Sequence, residues 1–190
     1  DGRQWRRVLE TPFDGRILAA PKGVPVRRIQ ELRPVAILHT PAGETVFDMG
    51  QNMVGWVRLR TSGVRGAAVT LKFGEILDQQ GNFYNKNLRM AKATDTFILA
   101  GAGRPETFEP HFTFHGFRYV KVVGLPDEAT LDTLTGVVLH SDLAVTGSFS
   151  CSSDPVNRLF ENILWTQKGN FLDVPTDCPQ RDERMGWTAD

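Results

Sequence analysis

The sequence predicts a mainly β protein, an antiparallel sandwich or jelly roll, followed by the opening of a helical unit. Two observations carry this. From Glu44 to about His140, short runs alternate apolar and polar residues and are separated by turns rich in Gly, Asn and Pro. Past Ser141 the apolar period changes from two to nearly four, the spacing of a helix. The length, 190 residues with 41% hydrophobic and 23% charged side chains, suits one soluble domain and part of another.

The first 41 residues read as the tail of a preceding domain or a connector. Pro12, Pro21, Pro25, Pro34 and Pro41 rule out a long helix there and leave short strands, with Arg27 to Leu32 and Val35 to Thr40 as candidates. A β-sandwich is expected over 42–143. Thr45 to Asp48 is short and β-prone, Gly50 to Gly55 reads as a turn, and Trp56 to Arg60 alternates. Gly63 and Gly66 bracket another turn before Ala68 to Phe73, and Asp78 to Asn82 is a polar loop. Thr94 to Leu99, Phe108 to Phe114, Phe117 to Val123 and Thr135 to His140 complete the strands. Phe112, Phe114, Phe117 and Tyr119 are expected to supply much of the core, each burial being worth roughly 1.5–3 kcal/mol. From 144 a helical domain begins. Ser153–Asp154–Pro155 is a helix start, with Ser153 as the capping side chain. Val156, Leu159, Phe160, Ile163 and Leu164 form one apolar stripe that has to bury against neighbours, and Gly169 ends the pattern.

Charge excludes some partners. With 22 basic and 22 acidic residues there is no electrostatic case for nucleic acid or an anionic membrane surface. No apolar run approaches a bilayer span, and the ends at Asp1 and Asp190 read as excised. Cys151 and Cys178 give neither a disulfide framework nor a zinc pair. His111 and His115, four apart, are expected on one face of a strand as hydrogen-bonded side chains rather than metal ligands, since no third ligand has a recognisable spacing.

The densest chemistry lies at the end. Asp177–Cys178–Pro179–Gln180–Arg181–Asp182–Glu183–Arg184–Met185–Gly186–Trp187–Thr188–Ala189–Asp190 packs four carboxylates, two arginines and a tryptophan into one run. Such a run suits a site that holds a polar, ring-shaped ligand and moves a proton. It equally suits an arginine–carboxylate network closing a helix–loop junction. Trp187 reads as either core or a stacking platform, Asp182 as a structural partner of an arginine, and Cys178 as small and buried. Glu75 and Arg118 read as structural, and Asn52, Asn82, Asn85 and Asn87 as turn residues.

The run from Asp173 to Asp190 resembles the active-site signature of bacterial α-L-rhamnosidases, the inverting enzymes of glycoside hydrolase family 78. Phe47–Asp48–Met49–Gly50–Gln51–Asn52, Gly74–Glu75–Ile76–Leu77–Asp78, Phe114–His115–Gly116–Phe117–Arg118–Tyr119 and Gly147–Ser148–Phe149–Ser150–Cys151–Ser152 resemble further segments of that family, in the same order. Ala189 departs from the usual glycine, and Met185 from leucine. The resemblance implies a concanavalin-like β-sandwich, then an (α/α)6 barrel that carries the chemistry and whose first helix and active-site loop fall within 144–190. It implies Glu183 as general acid, with Asp177, Asp190 and Arg181 on the rhamnose hydroxyls; Trp187, read above as core or stacking platform, is the further candidate for binding the sugar. The base is a glutamate further along the barrel, beyond Asp190. An inverting mechanism sets the two carboxyl groups about 6.5–9.5 Å apart. Asp182 beside Glu183 favours the protonated acid, whereas Arg181 and Arg184 oppose that if they point the same way. An ionised Asp177 or Asp190 suits hydroxyl recognition because it only accepts hydrogen bonds.

The expected substrate is a rhamnose-containing glycoside or polysaccharide, with no cofactor and no metal, and residues 1–190 alone are expected to be inactive. The rival readings are a sugar-binding β-module, a purely structural domain, and a helical-barrel glycosidase acting on another sugar.

Overall fold

The computed structural model describes residues 8–183 and residue 186. Its centre is one curled antiparallel sheet of eight strands, built around β3 (Thr45–Thr61). One edge of β3 pairs with β9 (His115–Val123), which leads on to β4 (Ala68–Gly74) and β7 (Thr94–Ile98). Elsewhere along its length β3 pairs with β2 (Ala36–His39), with β8 (Glu106–Phe108) and with β10 (Leu134–Ser141), which in turn carries β1 (Val26–Leu32). The sheet thus begins ahead of residue 42, taking in two strands from the stretch expected as a tail or connector. A small hairpin, β5 (Ile76–Leu77) with β6 (Phe83–Tyr84), sits on the loop that holds the Asp78–Asn82 turn.

The turn expected at Gly50 to Gly55 is instead an irregularity inside one long strand. Between Asp48 and Met53 the register against β9 shifts: Met49 to Asn52 of β3 stand opposite Arg118 alone on its partner. Gly50 takes φ +74 there and its N–H donates to Asp48 Oδ1 at 2.7 Å. A bulge of this kind bends a strand and lets it serve both halves of a curled sheet. Beyond the corner, β3 alternates strictly. Met53, Val57 and Leu59 face the main core with Phe47, Leu71, Phe73, Phe117 and Leu134. Val54 and Trp56 face outward into a second cluster with Val137, Leu139 and Leu172, against which Phe114 packs. Gly55 lies between, and a Cβ there would stand 1.9 Å from the Val137 carbonyl oxygen, so only glycine permits this pairing.

Two aromatic expectations need correction. Phe108 to Phe114 is not a strand: β8 ends at Phe108, and the residues after it form a loop. Phe112 is therefore fully exposed, with φ +59, and contributes nothing to the core; Phe117 is the wholly buried member of the group. His111 and His115 also part company. His111 tilts against Trp56 with ring centroids 6.0 Å apart, whereas buried His115 stacks on Phe73 at 4.1 Å and contacts Asp95 Oδ1 through Nε2 at 3.1 Å.

After β10 comes α1 (Asp154–Gly169), starting and stopping where the capping and glycine signals put it. Ser153 is the N-cap residue but its side chain makes no capping hydrogen bond. The predicted stripe is covered only in part: Phe160 and Leu164 are half-buried, Phe160 against Phe149, whereas Val156, Leu159 and Ile163 are exposed. The face turned to the sheet is the row Asn162, Trp165, Thr166, Gly169, one helical turn apart in sequence. Trp165 packs on the main core, and Gly169 lies so close to Val54 that a Cβ would meet its Cγ2 at 3.0 Å. A tight hairpin follows, β11 (Phe171–Leu172) and β12 (Val174–Pro175), turning at Asp173 with φ +69. Asp173 N–H donates to Ser141 Oγ at 3.0 Å, and Leu172 plugs the outer cluster, so the hairpin is fastened to β10.

Candidate active site

The hairpin aims the next residues at the β3 corner. Buried Thr176 donates its N–H to the Asn170 carbonyl at 2.8 Å and bridges to Gly186. Residues 177–183 then fold back on themselves, Cys178 N–H reaching the Glu183 carbonyl at 3.3 Å. The backbone of Gln180 rests on Gly116 of β9, where a Cβ would meet Gln180 Cβ at 2.8 Å. A side chain at 116 would therefore displace the loop.

A cleft of ≈ 390 Å³ opens between the β3 corner, Gly116, the second half of α1 and this loop. Gln51, Asn52 and Glu75 form one wall; Asn162, Trp165 and Thr166 form another; Asp177 and Cys178 form the third. The lining is mostly hydrogen-bonding groups with one indole, the chemistry that suits a polyhydroxylated ligand. Asn52 Nδ2 donates to Glu75 Oε1 at 3.1 Å, so Asn52 holds a cleft-lining carboxylate rather than merely shaping a turn.

Glu183 stands beside this cleft. An oxygen of Asp177, the Cys178 sulfur and an oxygen of Glu183 all lie within 4.8 Å of one another. The contacts of the Glu183 carboxylate are two guanidinium groups. Arg181 Nη2 lies 2.7 Å from Oε2, and Arg89 Nη1 donates to the same oxygen at 3.0 Å. Asp182, expected to crowd Glu183, is exposed. Of the predicted site residues, Asp177, Arg181 and Glu183 come together; Trp187 and Asp190 lie outside the described residues, as does Arg184.

Cys178 is no nucleophile. Burial pushes its thiol up from the usual range and the hydrogen bond to Asp177 Oδ2, at 3.2 Å, pushes it further, against the opposing pull of Arg181. A thiol held protonated is also a poor metal ligand. With Glu183 already engaged by two cations, Asp177, Cys178 and Glu183 make a poor cation site despite their proximity.

Sequence reasoning missed Arg89, Trp165 and the asparagines of the cleft. Arg89 and Glu183 are 94 residues apart, and no local pattern links them. Arg118, read as structural, is paired with Asp48: its Nε and Nη2 donate to Asp48 Oδ1 and Oδ2, both at 2.8 Å, across the β3–β9 corner.

The class follows from two adjoining matches. Residues 38–140 match the bacterial alpha-L-rhamnosidase concanavalin-like domain, and residues 144–190 match the bacterial alpha-L-rhamnosidase six-hairpin glycosidase domain. The chain belongs to the bacterial α-L-rhamnosidase family. An alpha-L-rhamnosidase of Streptomyces avermitilis is 47% identical over the whole chain, and one of an Alteromonas species 41% identical. The chain spans about a fifth of the length of these curated relatives, 18% and 21%. Among solved structures, the Streptomyces avermitilis enzyme complexed with L-rhamnose is similar over 90% of this chain and 16% of its own, with a TM-score of 0.86 and 48% identity. The native Aspergillus terreus enzyme is similar over 94% of this chain and 21% of its own, with a TM-score of 0.87 and 46% identity.

Proposed function

We propose that this chain serves in an inverting α-L-rhamnosidase that removes terminal rhamnosyl groups from glycosides or polysaccharides. The sheet from β1 to β10 acts as its β-sandwich domain, extending the 42–143 expected from sequence, and 144–190 as the start of the catalytic helical barrel. Glu183 is the general acid: its proton passes to the glycosidic oxygen as the bond to the anomeric carbon breaks. Water attacks the opposite face, activated by a base from another part of the barrel, and rhamnose leaves with inverted configuration. Asp177 and Arg181 bind sugar hydroxyls, joined by Asp190, with Trp187 against the ring. The observation that carries this reading is the meeting of Asp177 with Glu183 at the edge of a polar cleft whose lining suits a sugar.

In the full-length enzyme, Glu183→Gln is expected to lower turnover of rhamnosides with poor leaving groups by about 100-fold or more. Activated aryl rhamnosides, which need little proton assistance, should lose far less, and binding should persist. Equal losses on both substrate classes would rule out the acid role. Residues 1–190 alone should not hydrolyse any rhamnoside, because they span only about a fifth of the length of the related enzymes.

One observation favours sugar binding by the β-domain as a second reading. Trp56, His111, Phe112 and Phe114 line an open groove of ≈ 740 Å³ on the outer face of the sheet. Calorimetric titration of the chain with rhamnose-containing oligosaccharides tests it; heats unaffected by Phe112→Ala would dismiss the groove.

A further inference from the structure

We propose that Arg89, from the β-domain, is a positioning residue for Glu183, fixing which carboxyl oxygen carries the proton and stabilising the charge left behind. This rests on the reading of Glu183 as the acid. Arg89 and Arg181 arrive from opposite parts of the chain and meet one oxygen, Oε2, at 3.0 and 2.7 Å. An oxygen that accepts a hydrogen bond from one guanidinium group and lies 2.7 Å from a nitrogen of a second leaves no room for a proton of its own. Oε1 is left as the proton carrier. When Oε1 gives its proton to the leaving oxygen, the carboxylate that forms already has two cations in place, which is electrostatic stabilisation without reorganisation.

The backbone around Arg89 is built to present it. The residue follows a short 3-10 turn, Lys86–Leu88, and takes φ 55 and ψ −118, a conformation that costs a side-chain-bearing residue on the order of 1–3 kcal/mol. Fixed points on both sides sustain the strain. Leu88 is buried in the core, as is Ala93, whose carbonyl accepts from Phe73 N–H on β4 at 3.0 Å. A loop that needed only to connect β6 to β7 would place glycine at this position. Arginine here keeps a cation aimed at residue 183 instead.

The test compares Arg89→Gln, Arg89→Gly and Arg89→Lys with Glu183→Gln in the full-length enzyme. The expected result for Arg89→Gln and Arg89→Gly is a fall in kcat/KM of about tenfold or more on rhamnosides with poor leaving groups, and much less on activated aryl rhamnosides. Arg89→Lys keeps charge without the planar fork and should recover part of the loss. Arg89→Gly relieves the backbone and should melt no lower than the native enzyme, separating activity from folding. Equal losses on both substrate classes with no recovery in Arg89→Lys, or no loss at all, would overturn the role of Arg89. If Glu183→Gln itself shows no leaving-group selectivity, the acid assignment fails, and the proposal for Arg89 fails with it.

Discussion

Cys178 illustrates how position inside a reactive motif differs from reactivity. It sits beside Asp177 in the cleft wall, yet its thiol is pushed up by burial and by its hydrogen bond to that carboxylate. Alkylation by iodoacetamide is expected to be slow at neutral pH and to accelerate only in strongly alkaline solution, the thiolate being the reactive form. Mass spectrometry of the chain after timed exposure checks this; rapid labelling at pH 7 would contradict it. Glu183 makes the complementary point. Its sequence neighbour Asp182 is exposed, and a residue 94 positions away, Arg89 of the β-domain, supplies a partner.

At the level of elements, the meeting of β9 with the 177–183 loop decides where the candidate acid stands. Gly116 is extended and unstrained, but the backbone of Gln180 fills the space a methyl group would need. Gly116→Ala should therefore leave the sheet folded and shift the loop by several tenths of an ångström. We expect activity of the full-length enzyme to fall by about tenfold, with thermal stability lowered by about 1–2 kcal/mol. Native activity in this variant would mean that the loop is not held by its contact with β9. The β3 corner obeys the same logic of close approach: Gly50 and Gly55 allow one strand to pass through a bulge and then press against β10.

For the whole molecule, acid stability follows from its partly buried carboxylates. Burial alone would raise Asp48, Glu109 and Glu44, but their partners win. Arg118 and the Gly50 N–H pull Asp48 down; Arg58, the Trp56 indole and Arg28 do so for Glu109; Lys121 and the Phe83 N–H do so for Glu44. A carboxyl depressed on folding contributes stability that is present above its unfolded value, about 4, and is lost as pH falls through the folded one. The melting temperature should be level from neutral pH to about pH 5 and fall steeply below about pH 4. Asp48→Asn should cost about 1–3 kcal/mol at pH 7 and flatten part of that acid slope; an unchanged slope would remove Asp48 from the account. The exposed apolar residues of α1 belong to this scale too. Val156, Leu159 and Ile163 face solvent in this chain. Ile163→Lys is expected to reduce self-association of the isolated chain, measured by sedimentation, at a stability cost within about 0.5 kcal/mol.

The residues by themselves determined the class of the fold, most strand positions and both ends of α1, because alternation, turn residues and capping are local properties of a chain. They also determined the family, since ordered motifs survive as strings. Packing alone decided that Gly50–Gly55 bends a strand rather than ending it, that α1 meets the sheet through Trp165 and Gly169 while half its apolar stripe stays exposed, and that Phe112 stands in solvent while Phe117 fills the core. It also decided the partners of Glu183, for a contact between residues 89 and 183 exists only once the sheet has curled and the hairpin at Asp173 has turned the chain back.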